Sequence, residues 1–285
     1  MIRLYTLFVI MFISMISFAQ ENENVFQTFK DTRVINSHTV ETVKDRKLDF
    51  RIGHRFGDIN SGWTNLYGLE TATDVMFSFE YGISDELTIG INRTKGAGEL
   101  KALINGILKY RILNQKTDGS IPVSLAILAI PTISTMEKSE IPSALNFFEK
   151  TSHRLAYTAQ VLVARKFGEK FSLQVMPSYT HRNIVPADDT NGIFAVGAAT
   201  RIQLTKVFGI IADITLPVIG DRPEGESFYA PLGIGLEIET GGHIFQVNFT
   251  NAQGIVENDY IPYTQSNWGD GEFRLGFTIS RLFNL

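Results

Sequence analysis

The sequence contains no cysteine. Disulfides, thiolate metal sites, iron–sulfur clusters and cysteine nucleophiles are therefore excluded. Positive charge is also in short supply, because 26 Lys and Arg face 30 Asp and Glu for a net charge of −4. A chain without a basic surplus is a poor candidate for a nucleic-acid partner. What the chain does have is 44% apolar residues and 21 Phe, 9 Tyr and 2 Trp, so it can bury a core and is not expected to be disordered.

The N-terminus has the features of an export signal. Arg3 is followed by a mostly apolar run over 4–16 and by the small-residue ending Ser17-Phe18-Ala19. This order predicts a signal peptide over 1–19. A membrane anchor is the alternative, but the run is short for a hydrocarbon core of about 30 Å. After Ala19 no stretch approaches the roughly 18 apolar residues that a membrane-spanning helix needs.

From residue 48 onward, apolar residues recur at every second position, which is the period of a β-strand. The pattern predicts an all-β chain with about twelve strands. The expected strands are 48–57, 72–83, 86–93, 99–112, 120–134, 153–167, 170–182, 192–205, 207–217, 228–240, 243–251 and 271–283.

The links between these strands alternate in length. Short links with turn residues are expected at 84–86, 114–120, 168–169, 205–206 and 240–242, and the others are mostly long: 57–72, 134–152, 182–192, 217–228 and 251–271. Short turns at one end and long loops at the other are typical of a transmembrane up-and-down antiparallel β-barrel in the outer membrane. The turns and both chain ends would then face the periplasm.

The alternation also indicates which face meets lipid. In 72–83, one face carries Val75, Phe77 and Phe79, and the other carries Asp74 and Glu80. The predicted barrel has the apolar face outward and a polar lumen. A soluble β-sandwich or lipocalin-like barrel would show the same alternation and is the alternative.

Aromatic residues favour the membrane barrel over that alternative. On the apolar face they fall in two bands, as expected at the two membrane–water interfaces. One band lies beside the short turns (Tyr81, Tyr110, Phe167, Phe171, Phe208, Phe245, Phe283), and the other lies at the opposite end (Phe56, Tyr157, Tyr179, Phe194, Phe228, Phe249, Phe273).

Residues 20–47 lack a clear period and precede the barrel, which we expect over 48–285. The segment carries Phe26, Phe29, Val34, Val40 and Val43 among polar residues. Two interpretations stay open: a flexible periplasmic tail, or a plug inserted into the lumen.

Several stretches resemble a known family: 54–57 (HRFG), 79–83 (FEYGI), 109–111 (KYR), 243–247 (HIFQV) and 276–283 (GFTISRLF). They are similar to a bacterial outer-membrane barrel family, the domain of unknown function 5777, from about residue 45 to the C-terminus. The resemblance implies an outer-membrane barrel but no activity and no functional residues. The last strand also resembles the signal that the barrel-assembly machinery recognises, although Asn284 and Leu285 follow its aromatic residue.

Strand phase assigns a set of charged residues to the lumen, where they would set selectivity for a small polar solute. The set is Glu80, Lys101, Lys109, Arg111, Arg154, Arg201, Asp213, Glu237, Glu239 and Arg274. The alternative is that these groups pair across strands and close the barrel, because twelve strands enclose less space than the 16–18 of a wide porin. No catalytic, cofactor or metal site is expected.

The predicted function is a channel or porin-like conduit in outer-membrane lipid. A non-conducting scaffold for periplasmic or surface partners is the first alternative. An outer-membrane hydrolase is the lesser one: His153 and His181 lie at the outer rim, but neither has a serine neighbour on its face. The chain is therefore not expected to be an enzyme.

Overall fold

The computed structural model describes residues 23–218, 222 and 225–285. The predicted signal peptide, 1–19, lies outside these ranges. Within them, a short hairpin of β1 (Arg33–Val34) and β2 (Ser37–His38) precedes twelve longer strands. These are β3 (Lys47–Phe56), β4 (Ala72–Gly82), β5 (Leu87–Thr94), β6 (Leu103–Leu113), β7 (Ser124–Ser134), β8 (Leu155–Phe167), β9 (Phe171–Arg182), β10 (Gly192–Gln203), β11 (Phe208–Val218), β12 (Leu232–Thr240), β13 (His243–Thr250) and β14 (Arg274–Asn284).

The twelve longer strands form a closed antiparallel barrel in which each pairs with its neighbours in the chain. Pairing of β14 with β3, from Gly276 opposite Arg55 to Asn284 opposite Lys47, closes the ring. A closed ring leaves no unpaired sheet edge, which is the condition for a sheet in lipid. The predicted fold class and strand number are confirmed.

Four predicted strands begin three or four residues later than expected: β6, β7, β12 and β14. The shift at β6 has a local cause. Gly96 and Ala102 have left-handed backbones, with φ of 80° and 57°, and they turn the chain before the strand starts at Leu103. Lys101, which was assigned to the lumen wall, consequently lies in the preceding loop and is exposed.

The barrel is apolar outside and polar inside. Phe79 on β4 and Ile234 on β12 are 48% and 51% exposed, whereas Glu80 is 1% exposed. A soluble barrel would have these positions reversed, so this alternation requires an apolar medium around the wall.

Exposed aromatic residues lie near both ends of the outer face. Tyr110, Phe167, Phe171 and Phe208 lie near the short links, which we call the turn end, and Tyr157, Tyr179, Phe194 and Phe249 lie near the long links, which we call the loop end. The rings therefore occupy the two levels at which a membrane meets water.

In the part of the chain that the structure describes, helical structure lies in the connections between strands. One α-helix, α1 (Glu257–Tyr263), lies in the link after β13. Short 3₁₀ turns lie at Ile59–Ser61, Trp63–Gly68, Leu145–Phe147, Thr151–Arg154 and Trp268–Asp270. In the described ranges, every helix is too short or too polar to cross a membrane.

Candidate functional site: the filled lumen

Residues 28–43, which we call the plug, run through the interior of the barrel. Almost every side chain from Thr28 to Val43 is buried, and the plug contacts inward-facing residues of strands around the ring. The plug enters and leaves the lumen at the turn end. Just before the plug, the Val25 N–H donates to the carbonyl of Gln115 in the link after β6, and just after it the Arg46 N–H donates to the carbonyl of Gly82 at the end of β4. The lumen is therefore occupied by the segment that precedes the barrel.

The strongest polar contact joins the plug to β3. The Arg51 guanidinium donates to both carboxylate oxygens of Asp31, with Nη1–Oδ2 2.7 Å and Nη2–Oδ1 2.5 Å. Arg51 also donates to Asp49 at 2.8 Å, and Gln246 on β13 donates to Asp31 at 3.1 Å. All of these groups are buried. A two-pronged pair of this kind is among the stronger and more directional contacts in proteins.

The tip of the β1–β2 hairpin is held by a carboxylate and an arginine. Asp213 on β11 accepts from the backbone N–H groups of Asn36 and Ser37 at 2.8 and 2.9 Å, and from the Asn36 side chain at 2.9 Å. On the other side, Arg55 donates to Asn36 Oδ1 at 2.7 Å. Ile35 adopts a left-handed backbone at this tip, with φ of 35°, so the carboxylate fixes a tight turn.

Other wall side chains satisfy the plug backbone directly. Gln174 on β9 accepts from Val40 N and donates to His38 O, both at 2.8 Å. Lys109 on β6 donates to Thr32 O and Glu41 O at 3.2 and 3.0 Å. A buried backbone without such partners would be costly, so these long polar residues have a defined role inside the barrel.

Apolar side chains of the plug and the wall also pack together inside the barrel. The plug residues Phe29, Val34, Ile35 and Val40 form one buried cluster with the inward residues of β6–β11: Ile107, Ala126, Leu128, Ile130, Leu162, Ala164, Met176, Ala199 and Ile211. The plug therefore packs its apolar side chains against β6–β11, while Lys109, Gln174 and Asp213 of the same strands bond its polar groups.

Gly82 at the end of β4 allows the plug to leave the lumen. A Cβ at this position would overlap the carbonyl oxygens of Lys44 and Val43. Beside it, Val43 N donates to Thr88 Oγ1 at 2.9 Å. The closeness of the two backbones requires glycine here.

A second segment enters the lumen from the loop end. Residues 251–262, which we call the α1 segment because they include most of α1, are almost entirely buried. Tyr260 and Ile261 pack with Ala252 and with Ile193 and Ala195 of β10. The segment meets the plug where Arg33 donates to Ile255 O at 3.1 Å and to Glu257 Oε2 at 3.5 Å. The lumen is therefore occupied from both ends.

Asp259 of α1 joins this segment to the link between β5 and β6. Its carboxylate accepts from Ala97 N and Gly98 N, both at 2.7 Å. Burial raises the pKa of Asp259 to about 7, and the nearby Asp74 carboxylate acts in the same direction, while the two amides oppose the shift. The charge state of this carboxylate therefore changes near neutral pH.

Most of the residues assigned to the lumen from strand phase are buried inside the barrel: Glu80, Lys109, Arg111, Arg201, Asp213, Glu237 and Arg274. Several pair with each other or with the plug. Arg201 Nε lies 2.6 Å from Glu237 Oε1, and Arg111 Nη1 lies 3.4 Å from Glu41 Oε2 of the plug.

The other members of that set lie at the barrel rims. Arg154 ends a 3₁₀ turn before β8 and donates to Met136 O at 2.6 Å. Glu239 is 2.9 Å from Lys30 Nζ and has a 39% exposed side chain. Lys101 lies in the loop before β6.

Two small cavities lie in the interior formed by the described residues. A cavity of about 70 Å³ lies between the plug and the β3 and β13–β14 wall, and one of about 30 Å³ lies beside α1. These volumes hold at most a few water molecules.

The strand pattern did not reveal the residues that fill the lumen. Asp31, Asn36 and Arg33 lie in a segment without a period, and Glu257 and Asp259 lie in a link expected to be a loop. One signal was present in each: Phe29 and Val40 in the first, and Val256 and Ile261 in the second. Apolar residues in a segment that should face water indicate that it is buried.

Comparison with known proteins supports the architecture. A family model described as a membrane-bound β-barrel domain matches residues 29–283, which include the plug from Phe29 onward. No curated protein matches the sequence.

Among solved structures, the chain is similar to an outer-membrane channel from Pseudomonas putida F1, with 14% identity, a TM-score of 0.50 and coverage of 86% of this chain and 98% of that one. It also matches the NanC porin at 10% identity, with a TM-score of 0.49 and coverage of 84% of this chain and 100% of that one. Because the sequence identities are this low, the similarity extends to the barrel fold alone.

Proposed function

The chain belongs to the membrane-bound β-barrel family called domain of unknown function 5777, and from that premise we propose that it is a gated conduit for a small polar solute in the outer membrane, with residues 28–43 as the gate. The turn end faces the periplasm, and 1–19 direct export. The chain is not an enzyme. Strand β14, with Phe283 near its end, is recognised by the barrel-assembly machinery.

The observation that carries this proposal is how the plug is held. The plug accepts hydrogen bonds from the wall residues Arg51, Arg55, Lys109 and Gln246, and these bonds can be exchanged for bonds to water. The net contribution of such a bond is only about 0.5–1.5 kcal/mol, or about 1.5–3 when one group is charged. A segment held this way can leave without unfolding the barrel wall, because the hydrogen bonds between the barrel strands do not involve the plug.

Departure of the plug, together with residues 251–262 that meet it at Arg33, would leave an open lumen with charges of both signs. The buried wall residues are Arg51, Arg55, Lys109, Arg111, Arg182, Arg201 and Arg274, opposed by Asp49, Asp74, Glu80, Asp213 and Glu237. Such groups hydrate a pore wall and set its charge selectivity. The cations outnumber the anions on the described wall, which favours anionic solutes.

A second candidate is a barrel that never conducts and serves as a scaffold. The observation in its favour is that plug and α1 segment meet at Arg33 and Glu257, so that the lumen is closed from both ends. A scaffold would keep the plug in place and bind partners through its loops or through the residues that precede the plug.

Solute uptake by proteoliposomes distinguishes the gated conduit from the non-conducting scaffold. The plug-weakened double variant Phe29→Ala/Asp31→Asn is compared with the wild type in a swelling assay with small sugars and with small organic anions. A conduit predicts faster swelling in the variant, greatest for the anions. Equal, negligible swelling in both, with both folded as shown by heat-dependent gel migration, would establish the scaffold instead.

A further inference from the structure

A shallow trough crosses the outer face of the barrel. Five lipid-facing residues stand directly opposite one another on consecutive strands and form a row from β6 to β10: Leu108, Ala129, Ala159, Tyr179 and Phe194. The middle of the row consists of the two alanines, and its ends are large side chains. Small residues between large ones leave a depression in an otherwise bulky surface.

The rows on either side of the alanine pair raise the flanks of this trough. Ile127 stands opposite Val161, and Pro131 stands opposite Tyr157, each two positions along the strands from the alanines. The trough has a volume of about 600 Å³, lined almost entirely by apolar side chains that include Leu87, Tyr110 and Pro177. This volume is within the range of about 300–1,000 Å³ typical of small-molecule sites.

Prolines mark places near the trough where the strand ladder is interrupted. The pairing of β8 with β9 passes from Gln160–Ser178 to Val163–Val175 and omits Pro177. The pairing of β6 with β7 likewise omits Pro131. Proline suits such positions in a membrane because it has no N–H to leave unpaired.

Large side chains stand at both ends of the trough. At the loop end, Tyr179 and Phe194 pack with their ring centroids 4.6 Å apart. Towards the turn end the lining reaches Leu87 and Tyr110, which stand opposite each other on β5 and β6.

We propose that this trough binds one acyl chain of a membrane phospholipid. The trough lies on the face that the barrel presents to lipid, so it is continuous with the lipid interface of the barrel. The proposal rests on the membrane placement given above and is independent of conduction.

The dimensions favour an acyl chain over a protein segment. The flanking rows are four residues apart along a strand, or about 13–14 Å between backbones, and their side chains narrow this gap further. An α-helix with side chains is about 10–12 Å wide and cannot reach the alanine floor. A polymethylene chain can.

Native mass spectrometry tests the proposal. The full-length protein is purified in mild detergent with dipalmitoylphosphatidylethanolamine, and lipid retained per barrel is measured for the wild type and for Ala129→Leu/Ala159→Leu, which fills the trough. The matched control is Ala198→Leu/Ala212→Leu, two outward alanines on β10 and β11 that do not line the trough. Heat-dependent gel migration shows that each variant has folded.

The expected result is one retained phospholipid in the wild type and the control, and its loss in the trough variant. Equal retention in all three proteins, or retention in none, overturns the proposal. So does a wild-type dimer that only the trough variant abolishes, because the occupant would then be a second copy of the chain. Loss of lipid binding with an unchanged swelling rate, or the reverse, separates this proposal from the conduit.

Discussion

Arg51 on the barrel wall and Asp31 in the plug form a buried two-pronged ion pair, with Nη1–Oδ2 2.7 Å and both side chains at most 4% exposed. The pair links β3, a strand of the closed barrel, to the plug, which is the segment that moves in the proposed gating. Its strength therefore bears directly on whether the lumen opens.

Asp31→Asn should loosen the plug. Removing one partner of a buried ion pair costs up to about 3–5 kcal/mol, and Arg51 then keeps only its contact with the Asp49 carboxylate at 2.8 Å. We expect hydrogen exchange of the backbone amides over 28–43 to accelerate by two orders of magnitude or more, while the barrel strands stay protected. Asp45→Asn is the control, because Asp45 pairs with Arg46 at 3.7 Å on the exposed surface and such pairs contribute about 0–1 kcal/mol. Equal exchange in both variants would mean that the ion pair does not hold the plug.

Phe29→Ala should weaken the apolar side of the same segment. Phe29 is 1% exposed, and loss of a buried Phe side chain costs about 3–5 kcal/mol. Limited proteolysis from the turn end should then cleave within the plug. Phe26, three residues away and 77% exposed, supplies the control: Phe26→Ala should leave the cleavage rate unchanged. The apolar contact would be unimportant if both variants were as resistant as the wild type.

The α1 segment should be held more tightly at acidic than at alkaline pH. In the docked state the Asp259 carboxyl has a pKa of about 7, raised by burial and by Asp74, whereas in a released segment it would titrate near 3.9. The docked state therefore binds the proton more tightly, and docking is strongest below about pH 4 and weakens as pH rises towards 7.

Amide exchange over 257–263, corrected for its intrinsic pH dependence, measures this effect. Protection should fall between about pH 4 and 8 in the wild type, and Asp259→Asn should flatten the profile. The exposed Asp118→Asn is the control and should leave it unchanged. A wild-type profile that is already flat would contradict the role given to Asp259.

Gly82→Ala should displace the plug where it leaves the barrel, because the added methyl group overlaps the backbone of Val43 and Lys44. Exchange should increase first at the plug's C-terminal end. Gly106→Ala in β6 meets Pro131 side-chain atoms on the outer face rather than the plug backbone, and it should leave exchange in 28–43 unchanged. The same exchange pattern in both glycine variants would indicate a general loss of barrel stability.

The wall could be predicted from the sequence and the contents of the lumen could not, for a physical reason. Each strand has to place apolar groups towards lipid, so a two-residue period put Phe79 outward and Glu80 inward. The plug has no such constraint. Its Asp31 is placed by Arg51 and Gln246, which come from distant parts of the chain, and its Asn36 is placed by Asp213 and Arg55. Such contacts leave no period, so the sequence kept the plug as one of two interpretations of a segment that carries Phe29 and Val40 among polar residues.

Current through a planar bilayer tests the central claim, that the plug gates a continuous pore, most directly. Single barrels of the wild type, of Phe29→Ala/Asp31→Asn and of the control Phe26→Ala/Asp45→Asn are compared at the same voltage and salt concentration. We predict rare current steps in the wild type and the control and frequent discrete steps in the plug-weakened variant. An equally silent bilayer for all three folded proteins would contradict the gated conduit.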